Sequence, residues 1–511
     1  MARLHEHQSK KLLAEVGVAT PRFGVAESPE RARAIAAELG GSVAVKAQAW
    51  VTSRAGKGLI RFADSPETAA DAARAILAME AGQFPIEEVL VEEKRPFARE
   101  FYIGIIVDDA SASPVAIISS RGGSGIEEIA REHPESVAKL TIDITRGLRD
   151  HEARNLARKV GLSGKTQSEV AGALVKLWNL ARKWEARSAE INPLVELKDG
   201  SVMALDCRVA VDDYAAFRHP DLKIDFPREL GHPPTKLEKI AWEAEKNDYR
   251  GTFFFAQMGR GFSPQDGYVG FHGAGGGGSM MSMDAITAAG FKIANFTDTS
   301  GNPSAAKVYK AARIILAQPN IVGYFGSGSG VASQEQFHSA YGLAKAFWEV
   351  DLPIPAVVRL GGNSEDRAVD ILRGMAKYVR GPVEGYKKDD TPAFCANRLR
   401  ALVDAAPCPP PAMRYRSAPE AKEPYRFAID AGGSVAIDHA LCDEATTKVI
   451  LEMCPNVLKA NDAGKPVLAV SEDEARSGRF QGWIACEVEC RLRANPAVWV
   501  DLPIMGLKEL L

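Results

Sequence analysis

No run of about 18 apolar residues occurs in the 511-residue sequence and no charged-then-apolar leader opens it, so neither a spanning helix nor a secretory signal is expected. Cysteine is sparse: seven in a chain of this length make no disulfide framework, and a cytoplasmic location is expected. Neither sign of charge is in excess. Lys and Arg total 63 against 66 Asp and Glu, a net charge of −3, and no long basic run is present, which removes nucleic acid and membrane surfaces from the expected partners. Any phosphate binding must therefore be local. What remains is ordinary: 46% hydrophobic and 25% charged residues, in a chain longer than one core supports, predict about three or four domains.

The most informative stretch is Ala189 to Asp213, AEINPLVELKDGSVMALDCRVAVDD, in which two apolar strands flank the turn Lys198-Asp199-Gly200-Ser201. This is a hairpin pattern. With the turn centred on Asp199, Asn192 and Asp206 become cross-strand neighbours, about 5 Å apart at Cβ. Alternation puts Glu190 on the face of Asn192 and leaves Ile191, Val195, Met203 and Leu205 as packing. An oxygen set with one formal carboxylate suits Mg²⁺, which keeps waters and takes further ligands from substrate phosphates. A merely solvated hairpin face is the competing reading.

Upstream, an amphipathic helix covers Lys11 to Glu15, a second follows Ser28-Pro29-Glu30, and the strand Ser42 to Lys46 ends in a lysine that needs an anionic partner if buried. The loop Trp50 to Gly58, WVTSRAGKG, carries Arg54 and Lys57 among glycines, a composition that can close over polyphosphates. Glu92 and Glu100 end and begin two strands around a turn, where carboxylates can receive ribose hydroxyls or an amino group.

The start LHEHQSK, Lys46, VLVEEKRPFAREFYIG and above all AEINPLVELKDGSVMALDCRVAVDDYAAFRHP make residues 1 to about 220 resemble the ATP-grasp half of the succinate–CoA ligase β-subunit family and its relatives, the ADP-forming acyl-CoA ligases and ATP-citrate lyase. The resemblance implies that Lys46 and Arg54 hold nucleotide phosphates and that Glu92 lies at the adenine–ribose connector with Glu100 nearby. It implies that Asn192 and Asp206 ligate Mg²⁺, and that Glu190 orients a phosphorylated histidine normally carried by a partner. One departure is that the family's phosphate loop is richer in glycine than VTSRAGKG. A lid subdomain is expected over about 22–98 and a connector over 221–266.

From residue 267 the pattern changes. Four strands, Gly267 to Phe271, Ile293 to Phe296, Ile321 to Phe325 and Ile354 to Leu360, each run into a glycine-containing turn and a helix, which predicts a parallel doubly wound domain over 267–405 with its crevice at the strand ends. Glycine turns there expose backbone N–H groups at helix N-termini, where anions are favoured. This half resembles the family's flavodoxin-like domain, which implies substrate or phosphate loops at His272, Gly273, Gly275, Gly326, Ser327, Gly328, Ser329 and Gly330. Two departures bear on the acceptor: His272 stands where the family has asparagine, and GSGSGVASQEQ replaces Gly-Gly-Ile-Val-Arg. His272 is read as a hydrogen-bonding loop residue, not as the phosphorylated one, which the family places on the α-type chain.

Residues 406–425 are proline-rich and read as a linker, and 426–511 as a small α+β domain that looks like a ferredoxin-like domain deprived of its ligands. Cys442 and Cys454 form one group and Cys486 and Cys490 another; neither has four thiolates, so no iron–sulfur cluster is expected. The fold class is thus α/β and α+β multidomain: ATP-grasp over 1–220, flavodoxin-like, then small α+β.

The expected function is the β-type subunit of an ATP- and Mg²⁺-dependent, ADP-forming acyl-CoA ligase, with GTP as the other possible nucleotide. A heterodimer or heterotetramer with an α-type subunit, which carries the histidine and most of the CoA site, would act on a small carboxylic acid. Two alternatives stand beside it: a phosphotransferase using the same relay on a non-CoA acceptor, and a nucleotide-gated scaffold without catalysis.

Overall fold

The hairpin register positions the N-terminal half. In the computed structural model Leu194 pairs with Ala204, Val195 with Met203 and Glu196 with Val202, the pairing a turn at Asp199 dictates. Ile191 and Val195 are fully buried, whereas Met203 and Leu205 are half-buried. The return strand is interrupted: Val202–Ala204 stops before Asp206 and the ladder resumes at Cys207–Val211, with Ile191 facing Cys207.

The structure describes residues 1–51, 54–82, 84–123, 125–224, 226, 228, 230–246, 253–328 and 332–510, and these form two compact units, Met1–Pro234 and Thr235–Leu511. In the first unit the long strand Ala186–Glu196 lies at the centre of a sheet ordered Ala2–Arg3, Cys207–Val211, Ala186–Glu196, Arg99–Asp108, Ser113–Ser119 and Val137–Thr141. Helix Gly164–Lys183 repeats apolar residues at helical spacing, and its buried Val170, Leu174, Leu177 and Ala181 pack with Ile103, Ile191 and Val209 of the sheet. Each such leucine contributes about 1.5–3 kcal/mol by its burial.

A second, four-stranded antiparallel sheet has the order Phe23–Ala26, Val89–Glu93, Val43–Ala47 and Ile60–Ala63. Two helices, Pro29–Leu39 and Pro66–Leu77, complete its core. Ser28 and Ser65 cap them by accepting a hydrogen bond from the backbone N–H three residues on, and each has proline in its first turn. Because this sheet is buried on one side and faces the N-terminal helix Glu6–Glu15 with its strand-end charges, Lys46 and Glu92 come inward together.

The second unit is doubly wound. Its parallel strands are Asn295–Asp298, Tyr268–Ala274, Gly323–Gly328, Ala356–Arg359 and Val383–Tyr386 in spatial order, with Phe254–Gln257 antiparallel at one edge. The fifth parallel strand and the antiparallel edge go beyond the four strands the sequence pattern predicts. A correction concerns the turns. His272 and Gly273 lie inside strand Tyr268–Ala274, and Gly326, Ser327 and Gly328 inside strand Gly323–Gly328, all buried, where loops were expected. Close packing is the reason for one glycine: a Cβ on Gly273 would lie 2.8 Å from the carbonyl oxygen of Thr297.

The C-terminal segment is α+β, with antiparallel strands Pro424–Ala428, Ser434–Asp438 and Val498–Asp501 and helices Glu444–Met453 and Trp483–Leu492. It shares one continuous core with the doubly wound part, Phe427, Ile437, Trp483 and Val500 joining Tyr341, Phe347 and Leu372. Lys345, fully buried in helix Phe337–Glu349, donates to Glu349 (2.6 Å), to Glu487 of the C-terminal helix (2.8 Å) and to the carbonyl of Val500 (2.8 Å). The proline-rich stretch is not a free tether either. Arg414 and Arg416 donate their backbone N–H to Val350 and Glu349, and the Arg416 guanidinium reaches Asp351 at 2.7 Å. Cys442, Cys454, Cys486 and Cys490 all sit in the shared core, and burial pushes the Cys442 thiol up to about 11.

Lys345→Ala should leave the carboxylates of Glu349 and Glu487 buried with one cation fewer and cost about 3–5 kcal/mol. Urea unfolding of the full chain reads this as a lower midpoint for the C-terminal unit; an unchanged midpoint would refute the role given to the pair.

Candidate functional site

Strand Ala186–Glu196 carries the site because it has a neighbour on each side. Glu190 stands opposite Gly104 on one and opposite Arg208 on the other. The ladder toward Arg99–Asp108 slips between Ile191 and Leu194, a bulge that re-aims Asn192. Asn192 donates its backbone N–H to the carbonyl of Asp206 at 3.2 Å, so the two expected metal-binding residues are adjacent.

The Asn192 side-chain oxygen accepts the backbone N–H of Gly123 at 2.8 Å. Gly123 has φ 84°, and a Cβ there would lie 2.6 Å from a carboxylate oxygen of Glu100, so only glycine lets this turn close over both residues. Glu100 also lines a cleft of about 540 Å³ with Arg99, Arg121 and His133.

Lys46, Arg54 and Glu92 meet in a buried ionic cluster with Asp206 and with two residues of the first helix, Glu6 and Lys10. Lys46 Nζ contacts Glu6 at 3.1 Å, donates to the carbonyl of Leu205 at 2.7 Å, and pairs with Glu92. Lys10 contacts Glu6 at 2.9 Å and also pairs with Glu92. Arg54 bridges Glu6 (2.6 Å), Asp206 (2.7 Å) and the carbonyl of Ala47 (2.8 Å). Three carboxylates and three cations thus balance among residues of which Lys10 is wholly buried and Glu6, Lys46, Arg54 and Glu92 nearly so. Burial would raise the carboxyl of Glu6, but Lys10, Lys46 and Arg54 outweigh it and hold it well below the usual range. Burial would likewise lower Lys46, and Glu6, Glu92 and Asp206 reverse that.

Glu190 faces a pocket of about 250 Å³ lined also by His5, Trp50, Arg54, Asp206 and Arg208. Its carboxylate accepts from the Tyr102 hydroxyl at 3.1 Å and lies 3.8 Å from Arg208. Burial pushes the Glu190 carboxyl upward. His5, half-buried beside His7 and Arg54, is lowered to about 4 by desolvation and by those two neighbours and is a neutral imidazole at neutral pH.

One carboxylate oxygen of Asp206, Oδ1, is buried and has no hydrogen-bond partner among the described residues. An unpaired buried oxygen beside the Asn192 amide fits a hard divalent cation. Among the described residues no group of three His, Cys, Asp or Glu side chains is placed around a common metal position, so such an ion would draw most ligands from phosphates and water.

In the second unit, His272 is 5% exposed, with Nδ1 2.5 Å from the Tyr324 hydroxyl and Nε2 3.2 Å from that of Thr299. Both ring nitrogens are engaged within the core, which corrects the reading of His272 as a loop residue. The Gly275 N–H, expected to be open to an anion, donates to Asp298 at 2.9 Å, and Ser327 accepts from Ser282 at 2.7 Å. Ser329 and Gly330 lie outside the described residues.

Sequence reasoning missed Glu6, Lys10, Tyr102 and Gly123. The first two carry a usable signal, opposite charges four residues apart at the start of a helix. Tyr102 and Gly123 carry none that separates them from packing and turn residues.

The ATP-grasp domain model matches residues 3–196. The GDP-forming succinate–CoA ligase β subunit of Thermus thermophilus is 37% identical over 377 residues, 74% of this chain and 94% of that one. The ADP-forming β subunit of Roseiflexus sp. is 36% identical over 376 residues, 73% of this chain and 94% of that one. Among solved structures, ATP citrate lyase from Methanothrix soehngenii superposes with a TM-score of 0.61 at 19% identity, covering 79% of this chain and 99% of that one, a likeness of fold.

Burial lowers His272 from 6.5 to about 3. The unfolded chain therefore binds a proton there that the folded chain refuses, and stability contributed by this residue is full above pH 6.5 and falls with pH between 6.5 and about 3. His272→Asn should flatten the acid limb of the stability–pH curve by up to about 1.4 kcal/mol per pH unit in that window. Parallel wild-type and variant curves would contradict this.

Proposed function

The chain belongs to the succinate–CoA ligase β-subunit family, and from that premise we propose that it is the nucleotide-binding subunit of an ADP-forming carboxylate–CoA ligase. In this reading a histidine on an α-type partner takes the γ-phosphoryl group and passes it to a small carboxylic acid, and CoA, held mostly by the partner, opens the acyl phosphate. The observation that carries it is the convergence of Lys46, Arg54, Glu92, Asn192 and Asp206 in an ATP-grasp domain, beside a pocket that presents Glu190.

The residues divide the work by charge. Lys46 and Arg54 neutralise phosphate oxygens, exchanging contacts with Glu6 and Asp206 for the nucleotide. That exchange frees Asp206 to join Asn192 in holding Mg²⁺. When bound, the ion supplies charge neutralisation at the phosphates. Glu92, whose two carboxylate oxygens pair with Lys10 and Lys46, positions those cations rather than meeting the nucleotide's sugar or base edge as expected. Glu100 lines the cleft beside Arg121, and Glu190 orients the incoming imidazole. Catalysis rests on positioning more than on covalent chemistry by this chain.

ATP is the proposed nucleotide; the relatives include both ADP-forming and GDP-forming enzymes. No helix among the described residues is long and apolar enough to cross a membrane. From the likeness to relatives named as β subunits we propose a heterodimer or heterotetramer with an α-type subunit, and a cytoplasmic location. A second reading, phosphoryl transfer to a non-CoA acceptor, draws on the burial of His272 and Gly326 to Gly328 within strands. ADP release that requires both acid and CoA excludes it.

Asp206→Ala should lower ATP-dependent labelling of the partner's histidine by more than about 100-fold while circular dichroism stays unchanged. Unchanged labelling would overturn the metal assignment, and nucleotide binding without any labelling of the wild-type complex would leave the scaffold reading.

A further inference from the structure

Arg208 has no part in the function derived so far, yet it occupies a singular place. It stands two residues beyond Asp206, past the break in the return strand, and both residues line the 250 Å³ pocket. Across from them, Asn192 bonds to Asp206 through the backbone and Glu190 pairs in register with Arg208. Two neighbouring cross-strand pairs result: Asn192 with Asp206 at the break in the ladder, the pair proposed for the metal, and Glu190 with Arg208, a regular rung of it. Because Asp206, Glu190 and Arg208 line one pocket, a phosphoryl group held at the first pair lies beside the second.

The second rung is built to hold two different partners. On the far side of Glu190 stands Gly104, and the Tyr102 ring folds over that glycine: a Cβ there would come within 2.6 Å of the Tyr102 hydroxyl. Tyr102 donates to Glu190 and so fixes the carboxylate from behind. Arg208 approaches from the other side, 3.8 Å from Glu190, with one amino group donating to the carbonyl of Val51 at 3.1 Å. Its side chain is 41% exposed and that of Glu190 31%, both lining the 250 Å³ pocket. A guanidinium has five N–H donors in a planar fork suited to phosphate, and among the described residues this one gives one of them to the Val51 carbonyl. The rung therefore offers an acceptor for a ring N–H and a fork for an oxyanion side by side.

We propose that Arg208 is a catalytic residue of the acceptor side, its guanidinium binding the phosphoryl oxygens of a phosphorylated imidazole whose ring N–H is held by Glu190. The inference rests on the histidine relay proposed above and adds to it the group that receives the phosphoryl charge as it leaves the nucleotide. In the forward direction the lone pair of one imidazole nitrogen forms the N–P bond while the bond from the γ-phosphorus to its bridging oxygen breaks. The bridging electron pair leaves with the nucleoside diphosphate. The proton on the other ring nitrogen stays there, hydrogen-bonded to the Glu190 carboxylate, whose negative charge offsets the cationic ring that forms. Arg54 and Lys46 stay with the nucleotide, so the moving group always has a cation on the side it is approaching.

The test uses the full chain with phosphoimidazole as the probe and Mg-ADP as co-substrate, reading ATP formation. Arg208→Gln should raise the KM for phosphoimidazole at least about tenfold while the Kd for Mg-ADP stays within about twofold, and Arg208→Lys should fall between. A merely structural role would move both constants together or neither, and either result would overturn the proposal. If the wild-type chain forms no ATP from phosphoimidazole, the relay reading fails in this chain, and calorimetric binding of the same probe still decides the role of Arg208. Binding by wild type that Arg208→Gln weakens at least about tenfold supports it, and wild-type binding absent or equal to that of the variant overturns it.

Discussion

The first unit depends on one cluster of charges taken out of water together. Glu6, Glu92 and Asp206 offset Lys10, Lys46 and Arg54, and no member could be buried alone: an isolated buried ion costs several kcal/mol, recovered only if attraction and hydrogen bonds are nearly complete. The six residues come from the first helix, from three places around the small sheet and from the hairpin, so the cluster also sets how those elements meet. It is a structural solution whose anions can be replaced. A triphosphate brings the same sign of charge as the carboxylates it would displace, and the cations keep a counterion throughout.

The hairpin adds direction to that exchange. Asp206 belongs both to the ionic cluster, through Arg54, and to the pocket lined by Glu190 and Arg208. It sits at the break in the return strand with its carbonyl held by the Asn192 N–H, so one hydrogen-bonded pair joins the nucleotide-side cations to the acceptor-side pocket and keeps the reacting groups in place.

Much of the first unit was legible because a strand has an integral repeat. Once the turn at Lys198-Asp199-Gly200-Ser201 was placed, alternation fixed the neighbours of Asn192, and the structure reproduces that register. Lys46 announced its need for an anion, although Glu6 and Glu92 supply it in place of a phosphate. Glycine was the opposite case. Gly326 and Gly328 read equally well as turn or as tightly packed strand, and only the neighbouring strands decide between them. His272 failed for the same reason, since its partners Tyr324 and Thr299 lie 52 and 27 positions away. The proline-rich stretch suggested a boundary, and no local pattern could reveal that the segment beyond it completes the core of the unit before it.

That shared core bears on how the chain is made. Lys345 leaves the ribosome 142 residues ahead of Glu487, the second carboxylate that surrounds it. At synthesis rates of about 5–20 residues per second the interval is roughly 7–28 seconds. Throughout it the doubly wound helices lack the C-terminal residues that bury Tyr341 and Phe347 and that complete the pairing of Lys345. The last eighty or so residues therefore act as the closing stitch of a fold begun long before them.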